Sequence, residues 1–232
     1  MTILLVFDTE TTGLPPKNIK NFKVNLKTIK ELPYIVQFSY VLYNDETNRL
    51  LKTFDRIVKL PENVVMSKDN IAIHGITNER MKEKGVSLLT FLDTFIIDFV
   101  NADKIVCHNR DFDIKMVMAE LLRKITYELT YFHAECYKEY FYLLNSCNKY
   151  VCTMRETVDL CAIERINRRG PYLKFPSLSE LHFKLYNIVP HNLHNSLYDV
   201  LVCLRCYCQL YNNIDILEKN IELNLIFQEK LL

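Results

Sequence analysis

The chain opens on a continuous apolar run, "ILLVF", that meets two acids one residue apart, Asp8 and Glu10, with a glycine turn close behind at Gly13. A short apolar run bounded by a turn signal predicts a buried strand over residues 2–8. "YIVQFSYVLYN" (34–44) and "LLKTFDRIVKL" (50–60) are strand-like, and the polar "DETNR" between them has hairpin length. From residue 87 the period lengthens to that of a helix. Leu88, Phe91, Leu92, Phe95, Ile96 and Phe99 share one face, and Ser87 is a suitable cap. "KIVCHN" (104–109) reads as a short buried strand, followed by the helix "DFDIKMVMAELLRK" (111–124). Residues 127–150 read as an aromatic helical insertion, 151–160 as a strand and turn, and 167–176 as an irregular basic loop. Helical segments follow near 178–187, 194–212 and 215–231, the last being a C-terminal helix within 213–232. A hairpin followed by alternating helices and strands predicts the α/β class, a mixed sheet with helices packed on it. No linker rich in Gly, Pro or Ser divides the chain, so residues 1–232 read as one domain.

Composition narrows the classes. With 232 residues, 49% of them hydrophobic and only four glycines, the chain can bury a sizeable core. A net charge of +1 argues against a protein that coats nucleic acid non-specifically, though a local basic groove remains compatible with it. The first apolar run lacks a basic leader and a small-residue cleavage site, and no stretch approaches the ~20 apolar residues that span a bilayer. The expectation is a cytoplasmic protein with no membrane partner, whose eight cysteines are reduced thiols. Cys203, Cys206 and Cys208 with His182 do not make a zinc set, because Cys208 points away from the other two on a helix; they read as core. In "RINRRGPYLKF", Arg165, Arg168, Arg169 and Lys174 are interleaved with Tyr172 and Phe175. This stretch is either a solvated loop or a groove for single-stranded nucleic acid.

Residues two apart on a strand point the same way, so Asp8 and Glu10 project from one face, about 6.6 Å apart along the chain. Two ionised carboxylates that close repel and stay charged together only beside a cation. Hard oxygen ligands suit magnesium or manganese. A strand end that simply turns polar would also carry such a pair, so the rest of the chain decides.

"FDTETTGL" resembles the first motif of the DnaQ-like exonucleases, whose four acids and one histidine define the DEDDh group. "CHNRDFD" (107–113) resembles their second motif and "HNSLYD" (194–199) their third; "IHGIT" (73–77) matches a stretch of the proofreading branch. The motifs stand in the family's order and span residues 6–199. The pattern selects Asp113, which follows the aromatic, over Asp111. It also selects His194, five residues before Asp199, over His191. Ser196 stands where the family often has alanine. Five residues turn an ideal helix through ~500°, so His194 and Asp199 cannot face one site from a regular helix. His194 is expected in the loop before it.

The resemblance implies a ribonuclease H-like fold with a mixed five-stranded sheet flanked by helices. It implies a metal-dependent 3′–5′ exonuclease that releases nucleoside monophosphates from DNA, using two divalent cations, Mg2+ or Mn2+, and a histidine base. Asp8 would bridge both ions, Glu10 and Asp199 would complete the first, and Asp113 would help hold the second. His194 would take the proton of the attacking water. Thr11, through its backbone, and Leu14 would meet the terminal nucleotide, and His74 and Asn109 would lie near it. Nucleic acid is the expected partner, DNA before RNA. An exoribonuclease of the ribonuclease T or oligoribonuclease kind, a polymerase-associated proofreading subunit and a non-catalytic binding module are the alternatives. The sequence leaves open whether the chain pairs with itself or with a polymerase.

Overall fold

The computed structural model describes residues 1–16, 23–128 and 130–232. Its central sheet contains β1 (Ile3–Thr11), β2 (Ile35–Asn44), β3 (Arg49–Ile57), β4 (Lys104–Cys107) and β5 (Tyr150–Cys152), in the order β3-β2-β1-β4-β5. The hairpin β2–β3 pairs antiparallel with β1, while β4 and β5 run parallel to it. This is the mixed sheet flanked by helices that the pattern predicts.

Alternation along β1 divides the core. Leu5 and Phe7 face α3 (Leu89–Asn101) and α4 (Arg110–Tyr127) on one side of the sheet. Leu4 and Val6 face α9 (Ser196–Asn212) on the other. Both faces are covered, which is why the strand reads as an unbroken apolar run. The apolar helical face predicted from residue 87 is the buried face of α3.

Five local expectations are corrected. Pairing with β2 carries β1 on to Thr11, because Glu10 opposes Gln37. Within 127–150 the helix α5 covers only Tyr131–Ser146; α4 ends at Tyr127, β5 begins at Tyr150, and Leu129 lies outside the described residues. The 151–160 turn is two short helices, α6 (Thr153–Glu156) and α7 (Val158–Cys161), and the basic loop is a hairpin of β6 (Glu164–Asn167) and β7 (Gly170–Leu173). The C-terminal helix breaks in two, α10 (Ile216–Lys219) and α11 (Ile221–Lys230), because the Asn220 side chain accepts the Leu223 N–H and starts a new helix. α11 buries Leu223 and Phe227 in the α9 core, followed by Leu231 just past its end.

A buried charge network ties α4 to the segment leading into β2. Arg123 donates to the carbonyls of Ile29, Leu32 and Pro33 and to Glu120 at 2.7 Å, and Glu120 accepts the Ile35 N–H. The guanidinium stacks on Tyr34, 3.9 Å from the ring centroid. Removing one partner leaves the other charge buried and unpaired. Arg123→Ala is expected to lower the unfolding free energy by about 3–5 kcal/mol in a denaturant titration. Arg123→Lys is expected not to restore it, since one ammonium cannot reach three carbonyls and a carboxylate.

Candidate active site

β4 pairs with β1 only as far as Val6 opposite Val106. Beyond that point β1 runs on alone on this side, and the gap at the carboxyl end of the two parallel strands opens into a cleft of about 400 Å³. Its walls carry Asp8, Thr9, Glu10, His108, Asn109, Phe112, Asp113, His194 and Asp199, among others.

Each acid is placed by the element beneath it. Asp8 and Glu10 lie on the β1 face that α9 covers. The start of α9 is pinned there by Ser196, whose hydroxyl donates to the Asp8 carbonyl at 2.7 Å and whose N–H donates to Gln37 Oε1. That places Asp199 in the first turn of α9 at the cleft. Asp113 arrives from α4 on the opposite face. The Thr9 N–H and hydroxyl both donate to its Oδ1, at 3.1 and 2.9 Å. One carboxylate oxygen is thus fixed by the strand. Asp111 points elsewhere, into ion pairs with Arg110 and Arg155.

His194 precedes the helix, with φ +69, in the loop where the spacing argument requires it. Its backbone N–H donates to Asp199 Oδ2 at 3.1 Å. Ligand atoms of Glu10, His194 and Asp199 lie within 4.8 Å of one another. The loop is held at its far side by the chain's end: the His191 N–H donates to the Leu231 carbonyl and Asn192 Nδ2 to that of Lys230.

Asn109 lines the cleft as the cap residue of α4, at φ +89, with its side chain making no capping bond. His74 closes α1 (Lys68–His74), next to Gly75 at φ +70, a left-handed position that glycine fills without strain. Thr11 donates its hydroxyl to the Gly13 carbonyl, and Leu14 is exposed. Thr11, Leu14 and His74 do not line the cleft itself. Reading the sequence missed His108, Thr9 and the bonding role of Ser196. His108 is neutral, its pKa pushed down to about 4 by burial. It donates to the Pro176 carbonyl at 3.1 Å and accepts from Thr153, bracing the segment that enters α8 (Leu178–Tyr186).

The electrostatics follow from burial. Desolvation pushes Asp8 up to about 7; desolvation and then the neighbouring Asp8 push Glu10 up to about 8. Asp113 and Asp199 are held well above the usual carboxylate range, by burial first and by Asp8 second. No lysine or arginine lines the cleft among the described residues. Four oxygen donors and one imidazole, with no side-chain cation to balance them, form a donor set that suits magnesium or manganese. The cysteine cluster is no rival. Cys203, Cys206 and Cys208 are buried free thiols, and both His182 nitrogens are engaged, by Ile188 and Arg205.

A cleft at the carboxyl end of parallel strands, lined by acids, can hold metal ions, and the fold around it is ribonuclease H-like. The chain belongs to the RNase T exonuclease family, whose model matches residues 5–207 and so spans every acid of the cleft. No curated protein matches it significantly. Among solved structures it is similar to cell-death related nuclease 4 (CRN-4), at 15% identity and a TM-score of 0.58 over 92% of this chain and 64% of that one. Exonuclease I of E. coli in complex with a dT13 oligonucleotide matches at 18% identity and TM-score 0.59, over 97% of this chain and 46% of that one. Exonuclease I of Methylocaldum szegediense gives 17% and 0.59, over 93% and 42%. The chain therefore spans less than two thirds of the length of these nucleases. No described helix is long and apolar enough to cross a membrane.

Without a cation, the folded cleft keeps protons that the unfolded chain has released. Stability of the metal-free protein therefore falls as pH rises from about 4, where free carboxylates titrate, to about 8, where Glu10 ionises. Thermal melting in EDTA is expected to drop across that window, and manganese to restore it most at the alkaline end. In EDTA at the alkaline end, Asp8→Asn is expected to melt above the wild type, by about 2–4 °C for each kcal/mol of repulsion relieved. A variant melting no higher would show that the acids do not strain the fold together.

Proposed function

We propose that this protein is a metal-dependent 3′–5′ exonuclease that releases nucleoside monophosphates from the 3′ end of DNA, at single-stranded or frayed ends. The observation that carries the reading is the convergence of Asp8, Glu10, Asp113, Asp199 and His194 on one cleft. The oligonucleotide bound to E. coli exonuclease I, a protein of like fold, supports a single strand as substrate.

Asp8, Glu10, Asp113 and Asp199 would hold two divalent cations, magnesium or manganese. Bound there, the cations supply an acidified water and offset the charge of the phosphodiester. The chain's own residues do the rest. His194 is exposed beside Glu10 and Asp199, on a loop fixed to Asp199 through its backbone, and takes the proton of the attacking water at a ring nitrogen. Phe112 and Leu193 give the cleft apolar wall, and Asn109 offers it an amide not spent on capping.

His74 is the unusual member. The Ile76 N–H donates to its Nδ1 at 3.1 Å, so in the neutral ring the proton sits on Nε2. That atom is buried and has no hydrogen-bond partner among the described residues, in a residue only 7% exposed. Burial first, and charge on His194 second, push the His74 pKa down and keep the ring neutral. A buried donor with no acceptor costs about 1–3 kcal/mol, so this ring is held where it is by the packing around it. With the Thr11 backbone and the exposed Leu14 beside the β1 turn, His74 would complete a pocket for the terminal nucleotide.

Asp8→Ala and Asp113→Ala are expected to abolish nucleotide release while leaving a folded protein by circular dichroism. His194→Ala is expected to keep metal binding and slow release by about 10²–10⁴-fold. EDTA is expected to stop the reaction, with manganese or magnesium restoring it. Incubating 3′- and 5′-labelled DNA and RNA oligomers, single- and double-stranded, reads polarity, sugar and strand preference together; monophosphates released from the 5′ end would refute the reading.

A further inference from the structure

We propose that the hairpin β6–β7 is an arm that grips single-stranded nucleic acid on its way to the acidic cleft, through the phosphates on Arg165, Arg168 and Arg169 and through bases stacked on Tyr172 and Phe175. The inference deepens the nuclease reading above and rests on it for the substrate class.

The hairpin is built unlike the rest of the fold. Its two four-residue strands pair with each other and not with the main sheet. Every residue of β6 is exposed, Ile166 to 85%. An arm about 13 Å long thus stands in solvent with little core beneath it. Other cations near it are paired: Arg155 with Asp111, Lys174 with Glu180 at 2.6 Å. Arg165, Arg168 and Arg169 make no ion pair among the described residues.

Turn chemistry does not account for the arginines. The two central positions of a two-residue hairpin turn favour Gly, Asn or Asp, and here both are Arg. The turn instead draws on its flanks. The Arg169 N–H donates to Asn167 Oδ1, and Gly170 takes the left-handed position at φ +114. Arg165 lies directly opposite Tyr172, so a cation and an aromatic share one face of the arm. β7 then runs through Lys174 and half-exposed Phe175 straight into Pro176, Ser177, Leu178 and Ser179, which form one wall of the cleft. His108 holds the Pro176 carbonyl at that joint. The arm is therefore continuous with the site, and its charge is opposite to that of a phosphate backbone. A single strand fits better than a duplex, because its bases are free to stack on Tyr172 and Phe175.

The test is binding of labelled single-stranded 20-mers of DNA and of RNA, with a blunt duplex as control, read by fluorescence anisotropy across a salt series in manganese with a His194→Ala background to slow cleavage. The variant Arg165→Gln/Arg168→Gln/Arg169→Gln is expected to flatten the log K against log salt slope by about 2, near 0.7 for each phosphate no longer neutralised. Tyr172→Ala is expected to weaken binding by about 5- to 100-fold without changing that slope. The DNA and RNA arms decide which strand is held. Wild-type and triple-variant slopes that coincide, with melting curves unchanged, would overturn the proposal. Hairpin-dependent binding by a wild-type protein that releases no nucleotide would leave the arm standing and overturn the hydrolytic reading; nucleotide release with an unchanged slope would do the reverse.

Discussion

Four carboxylates drawn partly out of water into one cleft, with no lysine or arginine among its described walls, are the constraint around which this fold is arranged. Charges in that position repel one another and lose hydration, and burial is the larger effect at each of the four. A chain that only had to fold would place such residues at the surface. Here the remainder of the structure resists the repulsion. The sheet is covered on both faces, and each face delivers one acid: α4 brings Asp113 to Thr9, and α9 brings Asp199 through the contacts of Ser196 with Asp8 and Gln37. The strand supplies the other two because its parallel neighbour stops short.

Holding the acids is a matter of stiff elements; holding the imidazole is not. His194 sits outside α9 on a left-handed residue and is exposed, so its ring keeps freedom that the carboxylates lack. That freedom is bounded. Its own N–H is fixed on Asp199, and the preceding residues are tied to the carbonyls of Lys230 and Leu231. The C-terminal segment, with Leu223, Phe227 and Leu231 buried beside α9, is thus part of the frame of the site rather than a loose appendage. His108 plays a similar part on the other wall, joining the end of β4 to the entrance of α8.

Much of this arrangement was legible in the chain, and for a physical reason. The apolar run of β1 records burial on both faces, the D-x-E spacing records a shared face, and the five-residue interval from His194 to Asp199 rules out a regular helix between them. What could not be read depends on partners remote in sequence. Thr9 looks like any strand threonine until α4 is laid beside it, and Ser196 looks like a small residue until its hydroxyl meets the Asp8 carbonyl. The hairpin β6–β7 carries no apolar alternation because neither face is buried, so it read as a loop. The break at Asn220 was hidden because the apolar residues on either side of it keep the look of one helix; only the capping bond to Leu223 reveals the restart.

The near-neutral total charge conceals a separation that matters for how a polyanion reaches the cleft. A phosphodiester chain approaching the acids meets repulsion, and that repulsion falls only as cations occupy the carboxylates. Positive side chains cannot be placed among the acids to help, since they would neutralise the ligands a metal needs. They have to stand outside, where they hold phosphates away from the reacting bond. The arginines of the proposed arm, without an ion pair among the described residues, occupy such a place, at the end of a wall that runs into the cleft. A net charge of +1 is therefore no sign that the surface is indifferent to nucleic acid, because a total of 29 basic and 28 acidic residues says nothing of how they are distributed.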